Sequence, residues 1–237
     1  MGVSSMRKPH LVEEGVYSVP LILSSSLKPR RRQFEQTLLA GQRRIVRFAE
    51  INGWKDLTKQ GFFDHARIFD AKKDFDKALA SVAGLPLSTV FPKTYSAALE
   101  GRVLIAVSPE LYAENYPEGV EDDSFEKLLA HEIAHRLHIR ILNGNEDAMG
   151  SVWFYEGFAT YAADQFKQCG FEPKADDIRQ VLVSKGRESY RKYASVFRFF
   201  AARSPIKELI EQASKGDFST RLSRLISPMK PSTHDDC

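Results

Sequence analysis

The chain has 237 residues, of which 43% are hydrophobic and 27% charged, and carries a net charge of +3. That is the balance of a globular protein with a sizeable core, long enough for one large or two small domains. So small a charge excess argues against a dedicated nucleic-acid binder.

Residues 1–30 show no clear period, carry Pro20, Pro29 and a serine run, and read as a flexible arm. From Gln33 to Asn52 the apolar residues Phe34, Leu38, Ile45 and Phe48 recur at helical spacing, and Asn52-Gly53 stops the helix. ARIFD at 66–70 reads as a strand, and Asp74–Ala83 as a helix closed by Gly84. Thr94–Leu99 and Arg102–Val107 read as strands joined by a tight turn at Glu100-Gly101. Helical segments follow at about 124–142, 151–168, 176–203 with a break at Gly186, and 206–226 with an interruption at Gly216. The tail 228–237 reads as loose.

Strands thus precede helices. The order predicts an α+β fold, a small and mostly antiparallel sheet followed by a helical lobe. A single domain is expected over 31–227, with its sheet part at about 31–120 and its helical part at about 121–227. The run Lys28-Pro29-Arg30-Arg31-Arg32, with Arg43-Arg44 nearby, reads as a solvated loop entering a helix, against the alternative of a patch for an anionic partner. Two cysteines, Cys169 and Cys237, are too few for a disulfide framework and fit a reducing compartment. No charged-then-apolar leader opens the chain, and VYSVPLILSSS is too short for a membrane span. A cytoplasmic protein with no membrane partner is expected.

Chemistry concentrates at HEIAH, residues 131–135. A His-Glu-x-x-His match arises by chance roughly once in a hundred chains of this length, so its context must decide. Asp123 and Glu126 form a capping-box-like start; Phe125, Leu128, Leu129, Ile133 and Leu137 supply an apolar face; Asn143-Gly144 ends the helix. His131 and His135 then lie one turn apart on one helical face, near enough to share one ion, and neutral imidazoles suit zinc. Glu132 is one step round the helix, better placed to take a proton from an attacking water than to bind the metal. The bland alternative is a pair of polar residues near a helix surface.

A catalytic zinc usually has three protein ligands. The candidate third is Glu156, a lone carboxylate in the aromatic run SVWFYEGFATYAADQF and 21 residues past His135, far enough for the chain to return on an adjacent helix. Gly157 beside it permits close backbone approach. The metzincin pattern fails because positions 138 and 141 hold His and Ile. His138 reads as a wall residue rather than a ligand, and Thr160 or Asp164 could brace a ligand from outside the metal's own shell.

HEIAH followed by W-F-Y-E-G-F-A-T-Y resembles the gluzincin metallopeptidases, the thermolysin-like and aminopeptidase N-like clan, over roughly residues 95–215. The resemblance implies a zincin-like fold, one zinc ion per chain held by His131, His135 and Glu156, and Glu132 as general base. YRKYASVFR at 190–198 is similar to the Y-x-K-G-A-x-V-x-R segment of the aminopeptidase N-like enzymes, with Tyr193 in place of the glycine. It implies Tyr190 as the oxyanion donor, with Tyr193 as the alternative. Ala97–Gly101 stands where such enzymes carry G-A-M-E-N; Glu100 is either an amine-binding residue or the corner of a hairpin. The expected function is zinc-dependent hydrolysis of peptide bonds in a peptide or protein substrate. The alternative is a scaffold that keeps the fold, binds a partner and hydrolyses nothing.

Overall fold

The computed structural model describes residues 8–167, 172–184 and 189–226. Cys169, Gly186 and the tail 228–237 lie outside the described residues. The chain divides into two compact units, Met1–Leu137 and His138–Cys237. No helix among the described residues is long and apolar enough to cross a membrane.

The first unit opens with β1 (His10–Glu13) and β2 (Val16–Ser18), an antiparallel hairpin turning at Gly15. β3 (Leu21–Leu23) follows, so residues expected to form an arm supply three strands. They are too short, at three or four residues, for alternation to register in sequence. Gln42 closes the outer side of β2: its Oε1 accepts from Tyr17 N–H at 3.0 Å and its Nε2 donates to Tyr17 O at 2.9 Å.

α1 (Arg31–Ile51) presents Phe34, Leu38, Ile45 and Ala49 inward at the expected period. β4 (His65–Phe69), α2 (Lys72–Val82), β5 (Ala97–Glu100) and β6 (Val103–Val107) complete a four-stranded sheet ordered β3-β4-β6-β5. The α+β class is as expected, but this sheet is mixed rather than mostly antiparallel. β3 and β4 run parallel, as do β4 and β6, because a helix must carry the chain back between strands that share a direction. Only β5 and β6 form the expected hairpin, with Gly101 at φ 55 in its turn. α3 (Pro109–Asn115) is an additional helix: Ser108 accepts from Leu111 N–H at 3.3 Å and Pro109 sits in the first turn.

The basic run finds partners within this unit. Arg30 pairs with Glu110 at 2.6 Å, Arg31 with Glu35 at 3.6 Å, Arg43 with Glu13 and Arg44 with Glu126 at 2.6 Å. Much of the charge that suggested an anionic partner is therefore answered inside the chain.

The second unit is helical: α5 (Val152–Ala162), α6 (Ala175–Val183), α7 (Tyr190–Ala201), α8 (Ile206–Gln212) and α9 (Phe218–Ile226). Its core is aromatic. Phe154 meets Phe197 at 5.4 Å and Phe218 at 5.2 Å, and Phe158 meets Phe197 at 6.1 Å. Each such buried ring contributes about 1.5–3 kcal/mol through burial alone. Arg198 of α7 donates to the carbonyls of Gln165 and Phe166, just past α5, where Asp164 and Phe166 have φ 60 and 55.

Candidate metal centre

α4 (Ser124–Ile141) carries HEIAH in its middle. It is buried over most of its circumference, with Leu129, Ala130, Ile133, Ala134 and Leu137 wholly inside. Its first turn is fixed to α1. Glu126 accepts from Arg44 Nε at 2.9 Å and Nη2 at 2.6 Å, and a Cβ on Gly41 would lie 3.3 Å from the Glu126 carbonyl. The Glu126 carboxylate thus answers an arginine of α1, while Asp123 takes a left-handed φ of 57 where a capping residue is ordinarily extended. Lys127, also buried, pairs with Glu121 at 3.2 Å. Further along, Arg136 donates to the Gly101 carbonyl in the β5–β6 turn and so ties the helix to that hairpin.

On this helix His131 Nε2 and His135 Nε2 lie 3.0 Å apart, with the rings 84° from coplanar. Two such atoms in contact need one ring to donate and the other to accept, or a cation to which both lone pairs point. Ligand atoms at about 2.05 Å from a tetrahedral zinc would be about 3.3 Å apart, close to what is found. The third expected residue joins them. One ligand atom from each of His131, His135 and Glu156 lies within 4.8 Å of the others, and the group could hold a metal ion. His131 and Glu156 are buried and His135 is partly exposed, the pattern of a centre with one reachable side.

Glu156 is buried because α5 is apolar nearly all round: Trp153, Phe154, Gly157, Phe158 and Ala159 are buried with it. A carboxylate there needs hydrogen bonds, an ion pair or a metal ion to offset its lost hydration. Gly157 lets α5 approach α7. A Cβ at that position would stand 2.9 Å from Phe197 Cβ and 3.1 Å from the Tyr193 carbonyl. Gly157→Ala is therefore expected to destabilise the fold by about 1–3 kcal/mol through overpacking, read from urea unfolding. A neutral result would mean that α5 and α7 can part without cost.

Among the other expected residues, Glu132 is half-buried on α4. His138, expected as a wall residue rather than a ligand, is fully buried and packs against Phe158 at 4.5 Å and Phe154 at 6.0 Å. Thr160 donates to the Gly157 carbonyl at 2.9 Å, and the Asp164 carboxylate meets Lys167 at 3.3 Å. Tyr193 is wholly buried, whereas Tyr190, 6.3 Å away between ring centroids, is partly exposed at the start of α7. Glu100 ends β5 as the corner of the hairpin and is exposed.

No family model, curated protein or solved structure matches this chain. What the centre can do rests on its own donor atoms. Arg136, which ties α4 to the β5–β6 turn, was missed by sequence reasoning, since an arginine on a helix gives no sign of the distant carbonyl it meets.

Proposed function

We propose that the chain is a zinc-dependent metallopeptidase. The observation that carries the reading is the group His131, His135 and Glu156, two imidazoles and a carboxylate with ligand atoms within 4.8 Å of one another. This donor set suits zinc and leaves a position for water or substrate. Bound there, the ion would supply Lewis acidity toward a scissile carbonyl. Glu132 takes the proton from the attacking water and returns it to the leaving amine. The substrate lies as a strand along the outer side of β5, the end strand of its sheet, whose turn Arg136 ties to α4. Tyr190 donates to the developing oxyanion; of the two tyrosines it is the one that solvent reaches.

Digestion of a broad peptide library by the purified protein tests the reading. Cleavage is expected, with loss on chelation and recovery on adding zinc. A zinc-loaded protein that cleaves nothing would favour the partner-binding scaffold instead. Tyr190→Phe is expected to lower kcat by about 10²–10³-fold while zinc content and thermal melting stay unchanged. Tyr193→Phe should leave kcat within a few-fold, and the reverse ranking would transfer the oxyanion role to Tyr193.

A further inference from the structure

A cavity of about 400 Å³ opens where the N-terminal hairpin meets the start of α1, within the first unit. It is lined by Lys8, His10 and Ser18 at the open end of the hairpin, by Val19, Pro20 and Leu21 leading into β3, and by Arg31 and Glu35 on the first turns of α1. Its size is that of a small-molecule site. The frame around it is tied down. His10 stands opposite Ser18 in the hairpin register, and Gln42 and Arg43 of α1 hold the hairpin through Tyr17 and Glu13. Pro20 O accepts from Ala66 N–H at 2.9 Å, which fixes the entry to β3 against β4. Arg31 Nη1 donates to the Leu21 carbonyl at 3.0 Å, so the guanidinium is held at the cavity instead of sweeping through solvent.

Charge in this cavity is unequal. Lys8 and Arg31 line it as cations, His10 can add an N–H donor, and Glu35 is its one carboxylate. Arg31 and Glu35 stand 3.6 Å apart with both side chains 45% exposed, so the pair is weak and leaves further guanidinium donors open. Lys8 and His10 make no ion pair or hydrogen bond among the described residues. A guanidinium suits phosphate through paired N–H donors, and lysine suits it as a point charge. A phosphomonoester carries nearly two negative charges at neutral pH, enough to answer both cations. At roughly 30 Å³ per water the cavity has room for about a dozen, more than a bare phosphate fills. Glu35 repels a second phosphate but accepts from a hydroxyl, which favours a hydroxylated ester over a diphosphate.

We propose that this cavity binds a small, hydroxylated phosphomonoester, its phosphate on Arg31 and Lys8 and a hydroxyl on Glu35. The site shares no residue with the metal centre and does not depend on the peptidase reading. It gives the chain a second ligand, held by the part of the basic run that acids within the chain answer least.

Isothermal titration calorimetry of the full chain with glycerol 3-phosphate, in a phosphate-free buffer, tests this. Saturable binding is expected with a Kd of about 1 mM or tighter, weakening as sodium chloride is raised. Arg31→Gln should weaken it by about tenfold or more. Lys8→Gln should weaken it severalfold, and decides the matter even where Arg31→Gln fails to fold, because Lys8 holds nothing else in the described chain. Glu35→Gln, which removes a repelling charge, should tighten the binding of inorganic phosphate severalfold. Absence of saturable binding overturns the proposal, as does unchanged affinity in both cation variants. Weaker phosphate binding by Glu35→Gln overturns the assignment of that carboxylate. Arg31-dependent binding to vesicles containing phosphatidic acid, when the soluble ester does not bind, overturns the small-ligand assignment.

Discussion

Glu132→Gln is expected to keep a full complement of zinc and lose peptide hydrolysis by about 10²–10⁴-fold, the usual worth of a positioned general base. Glutamine matches glutamate in volume and still forms hydrogen bonds, so α4 and its two histidines should not move. What it cannot do is accept a proton. Glu132 is half-buried one residue from His131, where water can reach it. Zinc analysis and kcat/KM on one defined peptide, measured on the same preparation, separate the two effects. A variant that loses zinc would assign Glu132 to metal binding, and one with full activity would remove it from the mechanism.

Glu156→Ala is expected to lose zinc while the fold persists. Losing a residue that merely supports a ligand already weakens metal binding by 10–100-fold. Removing one of three ligands should weaken it by at least about a hundredfold. Zinc at about a thousand times the wild-type Kd stabilises a folded chain by about 4 kcal/mol. A hundredfold weaker site leaves about 1.4 kcal/mol at that concentration by the same relation. Thermal melts with and without added zinc read this difference directly. Equal stabilisation of wild type and Glu156→Ala would show that His131 and His135 bind the ion without Glu156. Wild-type protein prepared without chelator and found free of zinc would overturn the centre altogether.

Much of the helical part was legible because helix signals are local. The period of Phe34, Leu38 and Ile45 gave α1, and Asn143-Gly144 ended α4 within a few residues of Ile141. α3 had a readable start in Ser108-Pro109-Glu110, an N-cap followed by proline and an acid, and could have been found. The strands before α1 could not, since three or four residues do not display a period. Strand direction was also misjudged for the four-stranded sheet. β3, β4 and β6 are neighbours only because helices return the chain, and pairing across such distances leaves no mark in any one segment.

The candidate centre divides along the same line. The i,i+4 spacing of His131 and His135 on a helix is fixed by the helical repeat, so the sequence by itself determined that these imidazoles share a face, and the rings do converge at Nε2. It also singled out Glu156 as a carboxylate in an aromatic run that needed a partner. Only the tertiary structure decided that this carboxylate comes within 4.8 Å of the histidines, that Tyr193 is enclosed while Tyr190 is reachable, and that acids elsewhere in the chain answer much of the basic run. The physical reason is range. Helix geometry acts over four residues, whereas burial and ligand convergence depend on packing between segments tens of residues apart.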